Sequence, residues 1–123
     1  MTTQEVANRL VELCRAGDFE TCYRELYSPE IESIEPDGAA LPYAKGFEAI
    51  QAKGEKWQAG IVEMHGAEIG DPICAADHFS CTWTVDATFK EMGRMKMEEI
   101  CLYKVKDGKV VKEQFFYTIP SQA

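Results

Sequence analysis

The sequence predicts an α+β domain in which three N-terminal helices pack on a curved antiparallel β-sheet. Two observations carry this reading: helical spacing of apolar residues dominates up to Gly60, and long alternating segments separated by turn signals dominate after it. A third is size, since 123 residues, 46% hydrophobic, suit one domain spanning the whole chain, 1–123.

Thr2 and Glu5 stand at capping-box spacing, and Val6, Leu10, Leu13 and Cys14 then recur at helical intervals until Gly17. Asp18 is placed to cap a shorter second helix with Phe19, Cys22, Tyr23 and Leu26 on one face, which Ser28-Pro29 ends. Residues 30–35 alternate as a short strand, and a loop rich in Pro, Gly and Ala runs from Pro36 to Gly46. Phe47, Ile50, Gly54, Trp57 and Ile61 mark one side of a third helix. Four β segments follow near 61–75, 77–90, 94–106 and 109–119, divided at Ala76-Asp77, Met92-Gly93 and Asp107-Gly108. Gly70-Asp71-Pro72 signals a bulge or kink in the first of them. Strands this long suggest a strongly bent sheet.

The last two segments each carry a glutamate among aromatics. A two-residue turn at Asp107-Gly108 would put Glu99 and Glu113 on opposite faces, whereas a three-residue turn over Lys106, Asp107 and Gly108 puts them on the same face. A matching turn over Glu91, Met92 and Gly93 would pair Val85 with Glu99 and Trp83 with Cys101. The odd positions then share one face: Phe79 to Phe89, Met95 to Val105, and Val111, Glu113, Phe115, Tyr117 and Ile119, with Glu99 and Glu113 its only charges. The other two-residue register would turn Lys112 inward, so the pattern favours three-residue turns. Glu113 is then opposite Cys101 and diagonal to Glu99, about 7–8 Å away. Two acids in an apolar concavity resist ionising, which raises at least one pKa unless tyrosines or a wet cavity mouth relieve them.

The opposite face mixes Lys96, Glu98, Lys104 and Lys112 with Ile100, Leu102, Val110 and Phe116, a pattern that suits a second copy of the chain. A net charge of −8 disfavours nucleic acid and anionic membranes as partners. No run of about 18 apolar residues could span a bilayer, and the polar start MTTQEVANRL holds no signal core, so a cytoplasmic protein is expected. The five cysteines, odd in number and without a Cys-x-x-Cys pair, suit reduced thiols in that compartment. His65 and His78 have no cysteine at metal-ligand spacing, and no glycine-rich phosphate loop is present, so neither a metal nor a cofactor is expected.

Chemistry alone makes Glu35, at a strand end beside a loop, a candidate general base. Glu99 or Glu113, held neutral, would donate a hydrogen bond to a developing enolate, with Tyr103 or Tyr117 as a second donor. His65 is the alternative acid-base partner. Trp57, Trp83, Phe79, Phe115, Met95 and Met97, with Cys101 on the same face, are candidates to line a pocket for a small apolar ligand.

The order of elements, together with Ala16-Gly17-Asp18-Phe19, Tyr27-Ser28-Pro29-Glu30-Ile31, Gly46-Phe47-Glu48-Ala49-Ile50 and Asp107-Gly108-Lys109-Val110, resembles the SnoaL-like branch of the nuclear-transport-factor-2-like superfamily. The resemblance implies a cone with a central pocket. Its relatives include ketosteroid isomerase, polyketide cyclases, scytalone dehydratase, limonene-epoxide hydrolase and proteins without known chemistry. Glu35 before Pro36 is similar in position to the isomerase's general-base aspartate. The isomerase's oxyanion tyrosine falls at Leu10 and its protonated aspartate at about Cys101. The hydrolase pattern, an arginine between two aspartates, is missing, since Arg94 lies at a turn. Three functions are thus open: cofactor-free isomerase, cyclase or dehydratase on a small carbonyl compound; ligand binder; dimerising scaffold.

Overall fold

Helix α1 (Thr3–Arg15) starts at the expected capping box, the Thr2 hydroxyl accepting from the Glu5 N–H and the Glu5 carboxylate from the Thr2 N–H. It ends in a Schellman motif: Asp18 N–H donates to the Leu13 carbonyl at 2.9 Å, Gly17 N–H to the Cys14 carbonyl at 3.0 Å. That geometry requires a left-handed residue, and Gly17 supplies it with φ +74°. Asp18 then caps α2 (Phe19–Leu26) by accepting from Thr21 N–H. The chain passes directly from α2 into strand β1 (Tyr27–Ile34), three residues before the strand expected from sequence. Pro29 is accommodated there because the pairing shifts register between Tyr27 and Glu32.

The computed structural model describes residues 1–118. The expected loop holds a short strand, β2 (Tyr43–Lys45), on the edge of β1. Helix α3 (Phe47–Ala59) stops before Ile61, which opens β3 (Ile61–Ile69). Gly70-Asp71-Pro72 breaks the chain as anticipated, and β4 (Ile73–Ala75) follows as a separate strand. β5 (His78–Phe89), β6 (Gly93–Lys106) and β7 (Lys109–Phe116) complete the sheet, whose order is β2-β1-β7-β6-β5-β3 with β4 paired to β5. This is an α+β fold with three helices among the described residues and an open sheet. β5 and β6, at 12 and 14 residues, are the long strands the alternation predicts. The sheet is mixed and not wholly antiparallel, because β1 lies parallel to β7.

The inward parity of β5 and β6 is as expected: Phe79, Cys81, Val85, Ala87, Phe89, Cys101, Tyr103 and Val105 are buried. The register itself is two residues from the sequence reading, pairing Trp83 with Glu99 and Cys81 with Cys101, because the turn takes Lys90, Glu91 and Met92. Between β6 and β7 the turn is the two-residue form, Lys106 pairing with Lys109. A bulge after Val105–Val110 shifts the pairing by one, so that Lys104 meets Lys112 and Tyr103 meets Glu113. The two-residue turn puts Val110, not Val111, in the core, and the bulge beyond it returns Glu113 to the face of Glu99. Glu113 therefore faces Tyr103 and not Cys101, four residues along from Glu99. Ile119, assigned to the same face from sequence, lies outside the described residues.

Candidate functional site: a lysine among three glutamates

Ser33 and Glu35 belong to β1 and the residue after it, and α3 crosses this end of the strand. Lys53, one turn beyond the buried Ile50, reaches down from α3. Its Nζ lies 3.1 Å from Glu35 Oε1, donates to Ser33 Oγ at 2.8 Å and stands 5.1 Å from the centroid of Phe115. Both partners of the ion pair are largely enclosed, with side chains 17% and 16% exposed. The other carboxylate oxygen of Glu35, Oε2, is buried and has no hydrogen-bond partner among the described residues.

Glu99 enters the cluster from β6. Burial, then the neighbouring charge of Glu35, raise its carboxyl to about 7, while the Cys101 thiol, donating to Oε1 at 3.5 Å, and Lys53 pull it down. Glu113 is more deeply buried, at 5% exposure, and burial raises its carboxyl as well. It accepts hydrogen bonds from the Tyr27 hydroxyl and Ser33. Ser33 thus joins Lys53 to Glu113, and Tyr27 closes the network from the far side. Burial, then the charges of Glu35 and Glu99, push the Tyr117 phenol up and keep it protonated beside them.

The structure gathers Glu35, Glu99, Glu113, Phe115 and Tyr117 from the sequence candidates. It does not bring His65 to them: His65 sits on β3 with Nε2 2.7 Å from Thr88 Oγ1, on the outer side of the sheet. Trp57 is also elsewhere, 38% exposed and packed edge-on against Phe89 at 6.3 Å. Phe79 and Tyr103 stack at 4.7 Å as core, buried too deeply to line an opening. Trp83 stacks on Phe19 at 6.0 Å, pairs across the ladder with Glu99 and holds its indole N–H buried without a hydrogen-bond partner among the described residues. Met97 and Met95 pack with Val85, Ala87 and Phe89 in a second apolar cluster, and Cys101 is buried beside Glu99. The residues that sequence reasoning missed are Lys53, Ser33 and Tyr27. The signal for Lys53 is its place one turn after Ile50 on the predicted apolar stripe of α3.

Two surface concavities, of about 500 and 590 Å3, open around Arg15 on the α1 side and are lined by none of these acids. Arg15 there donates to the Ile69 carbonyl and pairs with Asp71 at 2.9 Å, holding the kink after β3 against α1. Among the described residues, no three His, Cys, Asp or Glu side chains are arranged to hold a metal ion, and no helix is long and apolar enough to cross a membrane.

A family model described as a SnoaL-like domain matches residues 1–117. The chain belongs to the SnoaL-like domain family. A protein named as a SnoaL-like polyketide cyclase from Mesorhizobium loti is 33% identical and superposes with a TM-score of 0.90, over 95% of this chain and 100% of that one. A nuclear-transport-factor-2-like protein from Burkholderia thailandensis, 14% identical, shares the fold with a TM-score of 0.82 over 96% and 92% of the two chains. So does TerC, co-crystallised with polyporic acid, at 15% identity and 0.75 over 94% and 91%. No curated protein matches the sequence. The SnoaL-like fold explains the placement of the cluster: α3 lies across β1, and the long β6 and β7 carry Glu99 and Glu113 toward it from the other side.

Proposed function

We propose that this SnoaL-like domain takes a small, mostly apolar carbonyl compound into the centre of its cone and moves a proton on it without a cofactor. One observation carries the reading: Glu35 is anchored to Lys53 through Oε1, while its buried Oε2 has no hydrogen-bond partner among the described residues. A carboxylate fixed at one oxygen and free at the other is suited to remove a proton from carbon α to a carbonyl. The resulting enolate oxygen needs a donor, and Glu99, still protonated up to about pH 7, provides an O–H in a dry site. Tyr117 is a second donor. Glu113, already satisfied by Tyr27 and Ser33, holds the floor and does not take part. Returning the proton to another carbon would make the activity an isomerase, and bond closure or loss of water would make it a cyclase or dehydratase.

The test is turnover of a panel of small enolisable ketones, with binding followed separately by calorimetry. Glu35→Gln should abolish turnover, at least 100-fold by the usual weight of a general base, and leave ligand affinity nearly unchanged. Full activity in Glu35→Gln would overturn the assignment. Binding without turnover in the wild type, weakened by Phe115→Ala, would establish a pure ligand binder instead.

The outer sheet face supports a homodimer as part of this proposal. Ile100 and Phe116 are direct cross-strand partners yet 52% and 46% exposed, between the Lys104–Lys112 pair and the Asp86–Arg94 ion pair. Phe116→Lys should turn a dimer into a monomer in analytical ultracentrifugation, and a dimer that persists in that variant would refute this face as the interface.

A further inference from the structure

Four of the five cysteines converge on the core, two on α1 and α2 and two on β5 and β6. Cys81 and Cys101 are directly opposed across the β5–β6 ladder, both point inward, and they are 4% and 0% exposed. Directly opposed antiparallel residues have Cα atoms about 4.5–5.5 Å apart, within the about 4.4–6.8 Å that a disulfide requires. Cys101 also donates to Glu99 at 3.5 Å, so the dithiol adjoins the carboxylate cluster.

We propose that Cys81 and Cys101 form a redox modification site, closing to a cross-strand disulfide under hydroperoxide and thereby altering Glu99. The Cys81 sulfur attacks the peroxide O–O bond; an S–O bond forms, the O–O bond breaks, and one water leaves with the thiol proton. The Cys101 sulfur then attacks the sulfenic sulfur; the S–S bond forms, the S–O bond breaks, and a second water leaves with the Cys101 proton. Two electrons pass from the thiols to the peroxide. Cys81 is the attacking partner because its contact with Cys101 holds its thiol below the ordinary range, whereas Cys22 and then burial hold Cys14 above it. Their burial restricts the oxidant to a molecule near the size of water. In the disulfide Cys101 has no S–H to give, so Glu99 loses the contact that lowers its carboxyl and keeps its proton to higher pH.

The experiment treats the folded protein, carrying Cys74→Ala to remove the partly exposed thiol, with hydrogen peroxide and maps the products by mass spectrometry. A Cys81–Cys101 peptide pair lighter by two hydrogens is expected, together with an upward move of the Glu99 carboxyl titration in NMR that dithiothreitol reverses. A Cys14–Cys22 bridge, separate sulfinic acids, or an unchanged Glu99 titration in the oxidised protein would overturn the proposal. So would retention of all four thiols under conditions that oxidise the urea-unfolded chain.

Discussion

Lys53→Met should destabilise the domain by about 3 kcal/mol, the lower end of the cost of breaking a buried ion pair from one side. The substitution keeps a straight apolar chain over Phe115 but strands Glu35, whose side chain is only 16% exposed, without its counter-charge. It also removes the donor that Ser33 accepts from, in a residue with no exposure at all. Most of the loss should disappear when Glu35→Gln is added, because no uncompensated charge is then left inside. Urea unfolding of the two single variants and the double variant measures this directly. A double variant whose loss equals the sum of the singles to within about 0.5 kcal/mol would show that the two residues do not interact.

A second large effect belongs to Glu99. An acid whose folded-state pKa is raised binds its proton more tightly in the folded chain, so its contribution is greatest at low pH and is lost as pH rises between the unfolded and folded values. For Glu99 that window runs from the ordinary 4.5 to about 7, a gap worth about 3 kcal/mol. Glu113, raised by burial, acts in the same direction. The carboxylates held low by surface contacts, Asp18, Glu25 and Asp86 among them, act below their ordinary range and so outside this window. Unfolding free energy should therefore fall from pH 4.5 to pH 7. Glu99→Gln, neutral at every pH, should match the wild type near pH 4.5 and exceed it by about 2–3 kcal/mol at pH 8. A wild-type profile flat over that range, or a variant without advantage at pH 8, would contradict the burial of Glu99.

The parts legible in the sequence are those written in local chemistry. Thr2 with Glu5, Gly17 with Asp18, and the alternation from Phe79 to Val105 each combine a spacing with a physical demand, and all reappear in the structure. Glu99 and Glu113 were placed on one face by rejecting a register that buries Lys112. The structure has both on that face although the turn is the two-residue form, because the bulge between Val110 and Lys112 restores the parity. The bulge has no marker of its own, and neither does the parallel pairing of β1 with β7, which joins segments some 80 residues apart with no turn between them. Lys53 was hidden for a different reason. A lysine on a helix reads as solvated, and only the position of Glu35 at the end of β1 supplies the counter-charge that brings it inside. Trp57 shows the converse, an aromatic on the predicted apolar stripe that stays at the surface because the stripe ends one turn earlier.

The most direct test of a proton-transferring site is the carboxyl titration of Glu99, followed by carbon-detected NMR and assigned with Glu99→Gln. The enclosed cluster of Glu35, Lys53, Glu99 and Glu113 requires a midpoint near 7, with Glu113 also above the ordinary range. A midpoint for Glu99 near 4.5 would place its carboxyl in water, leave the developing enolate without a donor, and remove the basis for the proposed chemistry.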